Sequence, residues 1–383
     1  MVRRVLVARG GALPKASGLG RAHADLVTRL GEDAVAGWAL ADEVEHPLGG
    51  NPLARWRRRR TTHPRFVAAE LQRLADDSSV NLLHISDQEQ AHLVPTTPIS
   101  DSDGKRVPVS VTVHDLFHIS PRKVSTTEGE ISVGQQSPGM LRARDITHLK
   151  EGISRADLLI CISKATADDC IELFPDSEVA VVPHGIDFVG YDRISHPLPR
   201  PDGMNPKSLN FLCVGSEEPR KRLPFLLKCI GRLSPQIRNN TVLHKVGAET
   251  DSKAQKRLRL LAERHGVKLR WAGRLSDIDL LGMYQHCDAL LFPSVAEGFG
   301  LPPLEAMASG CQVRIADAAA HNEVTPKQWR LPIDDAAAWA AALTEISDTK
   351  TGGAPNEIAL AAARQFSEER WASSLAEAWN SIF

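Results

Sequence analysis

The most informative stretch of the sequence is Ser294-Val-Ala-Glu-Gly-Phe-Gly-Leu-Pro-Pro-Leu-Glu-Ala-Met-Ala-Ser-Gly310. It follows Ala289-Leu-Leu-Phe292, an apolar run that is typical of a buried parallel strand. Pro302 suits the first position of a helix, and Gly310 suits the position just after a helix end. The stretch therefore predicts a strand, a glycine-rich turn and a helix, which is the repeating pattern of a parallel α/β sheet.

Two glutamates flank the predicted turn. Glu297 stands just before it, and Glu305 is expected in the first turn of the helix. Backbone amides at the start of a helix favour a phosphate group. Both carboxylates would repel that phosphate, so we expect them to face sugar hydroxyls, because an ionised carboxylate only accepts hydrogen bonds. The residues of the turn complete the predicted site for a nucleotide sugar: Gly298, Phe299, Gly300 and Leu301.

Composition narrows the class of protein. The 383 residues are too many for one ordinary core and suit two α/β domains. The formal net charge of -1 argues against a general nucleic-acid binder. The six cysteines are scattered, as expected of reduced residues in the cytoplasm. No apolar run approaches the ~18 residues of a membrane-spanning helix. We therefore expect a cytoplasmic protein, with peripheral contact at the inner face of the membrane as an open alternative.

Strand and helix patterns alternate along both halves of the chain. The predicted strands are residues 2–8, 81–85, 109–114, 158–162, 179–182, 209–214, 242–246, 269–272, 289–292 and 312–315. Residues 196–206 contain four prolines and one glycine, which is typical of a semi-rigid linker. We therefore predict a first domain of residues 1–200 and a second of residues 201–364. Both are expected to be doubly wound, with ligands at the carboxyl ends of their strands.

The stretch from 294 to 310 resembles the signature of retaining glycosyltransferases of family 4, in which two glutamates are separated by seven residues. The resemblance implies the GT-B fold, in which two Rossmann-like domains face each other across a cleft. It also implies that the last helix, residues 365–383, packs back on the first domain. In this family Glu297 would lie beside the donor sugar and the leaving diphosphate, and Glu305 would bind the nucleotide ribose. The resemblance is strongest from residue 210 to 323.

A second informative segment, Val214-Gly-Ser-Glu-Glu-Pro-Arg-Lys-Arg222, carries three cations after a predicted strand. A fixed cation stabilises a departing diphosphate more in the transition state than in the ground state. By resemblance to the family, Lys221 is the main candidate for this role and Arg220 the second, while Gly215 begins the donor-binding turn. Many family members carry arginine where this chain has Ser216. We expect the last arginine of the segment to lie in a solvated turn.

The first domain offers a histidine at a strand end. His114 follows the alternating strand of residues 109–113. By resemblance to the family, this histidine contacts the donor sugar, and Gly18 and Gly20 of the glycine-rich loop line the cleft. His184, at the end of a later strand, is expected to border the same cleft.

No metal and no cofactor are predicted. Asp101-Ser-Asp103 has the D-x-D form by which other glycosyltransferases hold a divalent metal through oxygen ligands. It lies in a polar stretch away from any predicted strand end, so we expect a solvated loop.

The acceptor side of the molecule has two candidate segments. The basic run Arg55-Trp-Arg-Arg-Arg-Arg60 has two open interpretations. It could bind anionic lipid heads, at about 1 kcal/mol per charge, or form a solvated helix face. Residues 123–150 show little hydrophobic periodicity until their end, which favours an acceptor loop.

These patterns predict a retaining, metal-independent hexosyltransferase. It would move a sugar such as mannose or glucose from a GDP-, UDP- or related nucleotide-sugar donor to a glycan or lipid-linked acceptor, as in polysaccharide or glycoconjugate synthesis. Two alternatives stay open. One is another GT-B enzyme, such as a nucleotide-sugar epimerase or a phosphorylase. The other is a catalytically silent GT-B scaffold, against which the intact site residues argue.

Overall fold

The computed structural model describes residues 2–9, 18–45, 51–247, 252–318, 320–350 and 354–383. They form two compact units. The first unit comprises Met1–Pro121, Gly134–Gly185 and Glu369–Phe383. The second unit comprises Arg122–Val133 and Ile186–Glu368. The chain therefore passes between the units more than once.

The strands of the described chain lie in three sheets. In chain order they are β1 (Arg3–Arg9), β2 (Trp38–Glu45), β3 (Leu82–Ile85), β4 (Val109–Val113), β5 (Arg122–Thr126), β6 (Gly129–Val133), β7 (Leu158–Cys161), β8 (Val179–Val181), β9 (Leu209–Val214), β10 (Thr241–Val246), β11 (Lys268–Gly273), β12 (Ala289–Phe292), β13 (Val313–Ala316) and β14 (Arg330–Leu331).

The helices alternate with these strands. In chain order they are α1 (Gly18–Gly31), α2 (Pro52–Arg57), α3 (His63–Asp76), α4 (Met140–Arg155), α5 (Lys164–Leu173), α6 (Phe188–Tyr191), α7 (Leu223–Gly231), α8 (Pro235–Asn239), α9 (Ser252–His265), α10 (Asp277–His286), α11 (Leu301–Ala308), α12 (His321–Val324), α13 (Ala336–Asp348), α14 (Glu357–Ala363) and α15 (Glu368–Asn380). A π-helical turn, Arg58–Thr62, joins α2 to α3.

The first unit is built on a parallel sheet of order β2-β1-β3-β4-β7-β8. Its inner strands β3 and β7 are buried along their whole length, as expected when helices cover both faces of a sheet. The last helix, α15, belongs to this unit, as predicted. Its Trp379 is fully buried, packs edge-on against Trp38 at 5.0 Å, and donates through Nε1 to Ser110 Oγ at 3.2 Å.

The second unit is built on a parallel sheet of order β11-β10-β9-β12-β13-β14. This is the doubly wound order, in which the direction of winding reverses between two neighbouring strands, here β9 and β12. In doubly wound sheets, ligands bind beyond the carboxyl ends of the strands at such a reversal. We call this place the β9/β12 switch point.

The boundary between the halves lies earlier than the predicted residue 200. The second unit already includes Ile186 and the proline-rich segment that follows it. That segment packs against α10: Leu198 N donates to Gln285 Oε1 at 2.9 Å, and Gln285 Nε2 donates to the carbonyl of His196 at 3.0 Å. The proline-rich segment is therefore packed against α10 and is not a linker.

The prediction that residues 123–150 form a loop is wrong. Strands β5 and β6 pair in an antiparallel hairpin, and α4 follows. The hairpin belongs to the second unit, where Thr127 N donates to Asp334 Oδ2 at 3.1 Å and Glu128 pairs with Lys228 at 3.0 Å. Its side chains are mostly exposed or half-buried, so the sequence carries little hydrophobic periodicity.

Candidate active site

Two loops meet at the β9/β12 switch point of the second unit. One is the turn from Gly215 to Arg222 after β9, and the other runs from Pro293 to Gly300 between β12 and α11. Val295 N donates to the carbonyl of Arg220 at 3.0 Å, which joins the two loops through their backbones. Side chains from both predicted motifs are therefore held at one end of the sheet.

A charged cluster of three side chains occupies this place. The Glu297 carboxylate lies 2.5 Å from Lys221 Nζ through Oε1 and 2.9 Å from Arg220 Nη1 through Oε2. Burial by itself raises the pKa of Glu297, but the adjacent Lys221 and Arg220 outweigh it and lower the pKa from 4.5 to about 2. Glu297 is thus fully ionised at neutral pH, and the three groups together carry one net positive charge.

The two cations differ in how far they are compensated. Arg220 also donates to Glu218 Oε2 at 2.7 Å and to the carbonyl of Ala296 at 2.8 Å. The Lys221 ammonium lies against Glu297 and 5.0 Å from the centre of the Phe292 ring. Lys221 is therefore the less compensated cation, in keeping with its predicted role as the main contact for a diphosphate.

Arg222 is not the solvated turn residue that the sequence predicts. Its side chain is 2% exposed and donates to Asp334 Oδ1 at 2.7 Å and to the carbonyl of Ile333. It lies directly after Lys221 in the left-handed conformation, with a φ of 50°. Arg222 is therefore a structural residue that fixes the end of the turn.

Glu305 lies in the second turn of α11, one turn later than predicted, because the helix begins at Leu301. Its carboxylate accepts from Tyr191 Oη at 3.2 Å and from Tyr284 Oη at 2.9 Å. These are the two tyrosines of the whole chain. Burial, and next the charge of Glu305, raise the pKa of Tyr284 well above 10, so its hydroxyl stays a donor. Sequence patterns gave no sign of either tyrosine.

The glycine turn that leads into α11 is tightly packed. Gly300 has a φ of 126°, and a Cβ placed on it would come within 2.8 Å of the His321 Cβ, so only glycine fits. The Phe299 ring is buried and packs edge-on against the Phe366 ring, with centroids 5.8 Å apart. Only the backbone of Phe299 is therefore available to contact a nucleotide-sugar donor. Gly298 precedes this ring, and Leu301 is the first residue of α11.

His321 is a neighbour of Glu297 that sequence reasoning missed. It is fully buried, and its Nε2 lies 2.9 Å from the carbonyl of Ala316. Burial lowers the pKa of His321 to about 4, although the charge of Glu297 acts in the opposite direction. It is therefore neutral at pH 7. His321 begins the short helix α12 and stands in no recognisable motif, so the sequence offers no signal for it.

In the first unit, His114 and His184 lie together at the carboxyl ends of their strands. Their rings stack with centroids 5.5 Å apart. His114 Nε2 lies 3.1 Å from the carbonyl of Ser86, which places the proton on Nε2 and leaves Nδ1 as an acceptor. Burial lowers the pKa of His114 below 6.5, although the Ser86 carbonyl raises it, and burial lowers that of His184 to about 3.

The glycine-rich loop of the first unit is described only in part. The predicted residues Gly18 and Gly20 are described and begin α1, whereas residues 10–17 lie outside the described chain. Gly20 is buried, and a Cβ placed on Gly18 would meet no atom of the described residues within 4 Å. Packing against the described part of the chain therefore does not require glycine at position 18.

Two family models match the chain, one in each half. A family model of the glycosyl transferases group 1 matches residues 198–350, and a model of glycosyltransferase family 4 matches residues 18–188. The chain is thus similar to these glycosyltransferases over both of its halves.

The similarity to known proteins covers part of the chain in sequence and nearly all of it in fold. Serotype-specific mannosyltransferase WbdA of Escherichia coli is 31% identical over 167 residues, which cover 41% of this chain. The match spans 20% of that relative, about a fifth of its length. The structure of sucrose-phosphate synthase from Thermosynechococcus elongatus matches with a TM-score of 0.69 and 18% identity, covering 100% of this chain and 99% of that one. Anabaena HepE, solved with UDP and glucose, matches with a TM-score of 0.68 and 16% identity, over 99% of this chain and 100% of that one. The fold is GT-B.

One group of side chains in the first unit has the composition of a metal site. Among the described residues, His23, Glu43 and Glu45 place ligand atoms within 4.8 Å of one another. His23 already contacts Glu43 Oε1 at 2.8 Å and Ser86 Oγ at 2.7 Å, and Arg9 lies 3.9 Å from Glu45. The arrangement fits a hydrogen-bonded network better than a cation site. Asp101 accepts from the amides of Asp103 and Lys105, at 3.1 and 2.8 Å, and so caps its own turn.

The basic run of the first unit is largely engaged in contacts within the protein. Arg59 donates to the carbonyl of Glu89 at 2.6 Å, and Arg60 contacts His148 and lies 5.1 Å from the Trp56 ring centre. Arg57 is exposed, as are Arg65 and Phe66 on the next helix. Within the described ranges, every helix is too short or too polar to cross a bilayer.

Proposed function

We propose that this chain is a retaining, metal-independent glycosyltransferase that moves a hexose from a nucleotide-sugar donor to a glycan or lipid-linked acceptor. The observation that carries the proposal is the cluster of Lys221, Arg220 and Glu297 at the β9/β12 switch point. The relatives support the class of donor and sugar. WbdA is named a mannosyltransferase, and HepE was solved with UDP and glucose, so mannose and glucose are the sugars to test first.

The reaction exchanges one bond at the anomeric carbon. The bond from that carbon to the phosphate oxygen of the donor breaks, and a bond to the acceptor oxygen forms. The acceptor proton passes to an oxygen of the departing diphosphate, which leaves as a nucleoside diphosphate. Lys221 and Arg220 stabilise the charge that develops on the leaving group. These fixed cations supply the positive charge that a divalent metal would otherwise provide, which supports metal independence.

The electrostatics of Glu297 support retention without a protein nucleophile. With a pKa of about 2, Glu297 is a weak base, and both of its oxygens face cations. Such a carboxylate is poorly suited to take the acceptor proton or to attack the anomeric carbon. Departure and attack on the same face of the sugar, with the leaving phosphate as base, fit this site. Glu297 and Glu305 then serve as hydrogen-bond acceptors for hydroxyl groups of the sugar and the ribose.

Contact with an anionic membrane is the finer part of the proposal, and a lipid-linked acceptor would make use of it. Arg57, Arg65 and the 53% exposed Phe66 are the side chains available for it. The test is co-sedimentation with vesicles that contain anionic lipid. A triple variant, Arg57→Ala, Arg65→Ala and Phe66→Ala, should bind less than the wild type, and equal binding would remove the membrane from the proposal.

The function is tested with a panel of nucleotides. UDP, GDP, ADP and dTDP and their hexose conjugates are screened by thermal shift, because a ligand that binds only the folded state raises its stability. The donor selected is then followed by NMR during slow hydrolysis, with and without EDTA. We expect a released sugar that first keeps the configuration of the donor, at a rate that EDTA does not change.

Other outcomes separate the alternatives. An inverted sugar would contradict retention, and loss of turnover in EDTA would contradict metal independence. Rapid donor breakdown with no acceptor requirement favours an epimerase or a phosphorylase. Nucleotide binding without any turnover favours a silent scaffold.

A further inference from the structure

A lysine ammonium is buried directly beneath the turn that begins at Gly215. Lys245 lies in β10, and its side chain is 1% exposed. Its Nζ donates to the carbonyl of Gly215 and, at 3.2 Å, to that of Val246, and the Glu217 carboxylate lies 3.6 Å away. Lysine is almost never fully buried unless it is paired, because removing a charge from water is costly. A hydrophobic residue would fill this strand position without that cost.

Two glycines with positive φ angles lie next to the Lys245 ammonium and leave space for it. Gly215 and Gly247 have φ values of 142° and 137°. A Cβ placed on Gly247 would lie 2.1 Å from the Gly215 oxygen and 3.1 Å from Lys245 Nζ, so glycine is required there. Gly215 N donates to the carbonyl of Val246 at 3.0 Å. Both the amide and the carbonyl of Gly215 are thereby fixed to β10.

This fixed carbonyl determines where the next amide points. The described chain has no cis peptide bond, and in a planar trans peptide the carbonyl and the following N–H lie on opposite edges. With the Gly215 oxygen held toward β10, the Ser216 amide points away from β10, and β12 is the strand on that other side of β9. β12 leads to Glu297. The Ser216 amide is thus directed to the side of the charged cluster.

The same glycine also supports the main cation. A Cβ on Gly215 would meet Lys221 Cε at 3.3 Å and Lys221 Nζ at 3.6 Å, which shows that the Lys221 side chain lies across Gly215. Gly215 therefore has Lys245 at its carbonyl and Lys221 over its Cα. A shift of this one residue would move both the Ser216 amide and the Lys221 ammonium.

We propose that Lys245 is a positioning residue, which holds the Gly215 peptide so that the Ser216 amide and the Lys221 ammonium meet a phosphate group of the donor. The proposal rests on the proposed function and assigns Lys245 to the phosphate end of the ligand. Lys245 acts through Gly215 and does not touch the substrate itself.

The test compares phosphate binding with base and ribose binding. Lys245→Met alone would leave the buried Glu217 carboxylate without this cation, so the main variant is Lys245→Met with Glu217→Gln, which removes both charges together. Lys256→Met, an exposed lysine of α9, is the matched control. Calorimetric titration measures the dissociation constants of UDP, GDP, ADP and dTDP and of the four matching nucleosides, after circular dichroism has shown that each variant is folded.

We expect the double variant to bind the preferred diphosphate about tenfold more weakly, with the nucleoside affinity unchanged within about twofold, because only contacts to phosphate are disturbed. The control should match the wild type. Diphosphate affinity within about twofold of the wild type would overturn the proposal, and so would equal losses for diphosphate and nucleoside, which indicate a merely structural lysine. If the wild type binds none of the four diphosphates, the proposed function fails first, and this inference fails with it.

Discussion

The candidate residues at the carboxyl edge of the second unit's sheet are ionised, whereas those at the same edge of the first unit's sheet are neutral histidines. Lys221, Arg220 and Glu297 are charged at pH 7, and the pKa of Glu297 is lowered to about 2. Burial lowers the pKa of His114 below 6.5 and that of His184 to about 3. The two edges therefore suit different chemistry. Fixed positive charge suits a diphosphate, whereas a neutral imidazole can donate to or accept from a sugar hydroxyl.

The order of the strands explains where each edge places its residues. In the second unit the winding reverses between β9 and β12, and the loops after these two strands carry the charged cluster. In the first unit it reverses between β1 and β3. Because His114 follows β4, the strand after β3, it lies one strand away from that reversal. The units share an architecture, but their functional residues occupy different positions in it.

The largest effect is expected at the charged edge. Lys221→Met should lower the rate constant kcat about a hundredfold, or about 3 kcal/mol, because the diphosphate loses its least compensated cation in the transition state. Donor turnover at saturation measures this, with Lys256→Met as the control. A fall in kcat of less than about threefold would mean that Lys221 does not stabilise the leaving diphosphate.

A stability measurement tests the ionised state of the same cluster. A carboxylate whose folded pKa is lowered from 4.5 to about 2 stabilises the fold above pH 4.5 and loses this contribution as the pH falls toward 2. Glu297→Gln should therefore lower the free energy of unfolding at pH 7 by about 1 to 3 kcal/mol. The difference from the wild type should shrink in urea titrations at pH 3. A gap that is constant with pH would contradict the ion pairing.

The ribose end of the same edge should respond more weakly. Glu305→Ala should weaken binding of the selected nucleoside diphosphate about tenfold, because the ribose hydroxyls lose a charged acceptor. Tyr284→Phe removes one of the two hydroxyls that orient Glu305, so a loss of about threefold is expected. Calorimetry measures both, with the exposed Glu263→Ala as the control. If Tyr284→Phe costs more than Glu305→Ala, the tyrosine and not the glutamate binds the ribose.

The smallest effect is expected at the neutral edge. His114→Ala should lower kcat/KM about fivefold, the value of one neutral hydrogen bond, with nucleoside diphosphate affinity unchanged. Burial lowers the pKa of His114 below 6.5, so this histidine should add no pH limb centred between pH 6.5 and 8 to the wild-type rate. His118→Ala, at an exposed position on the same segment, is the control. A pH limb in this range that disappears in His114→Ala would show that this histidine is charged in function.

The sequence predicts the two sheets because their strands are locally distinct. All ten predicted strands are present, since each is an apolar run buried on both faces or bounded by turn residues. Strand β2 is not predicted because it lies at the edge of its sheet and most of its residues are partly exposed. Strand β14 is not predicted because it has only two residues. The hairpin β5–β6 is not predicted because it buries few side chains.

The sequence predicts those site residues that stand in one short motif. It does not predict those that distant segments bring together in the folded chain. Glu297, Glu305 and Lys221 stand in recognisable stretches of the sequence. Tyr191, Tyr284 and Lys245 come from three separate elements and meet the site only in the folded unit. Arg222 was misjudged for the same reason, because its partner Asp334 lies more than a hundred residues away.

The most direct measurement is a crystal structure of the protein with the nucleotide sugar that the panel selects. We expect the diphosphate to lie within hydrogen-bond distance of Lys221 Nζ at the β9/β12 switch point. The ribose hydroxyls should donate hydrogen bonds to the Glu305 carboxylate. A diphosphate bound instead beside His114 in the first unit, or away from both edges, would contradict this expectation.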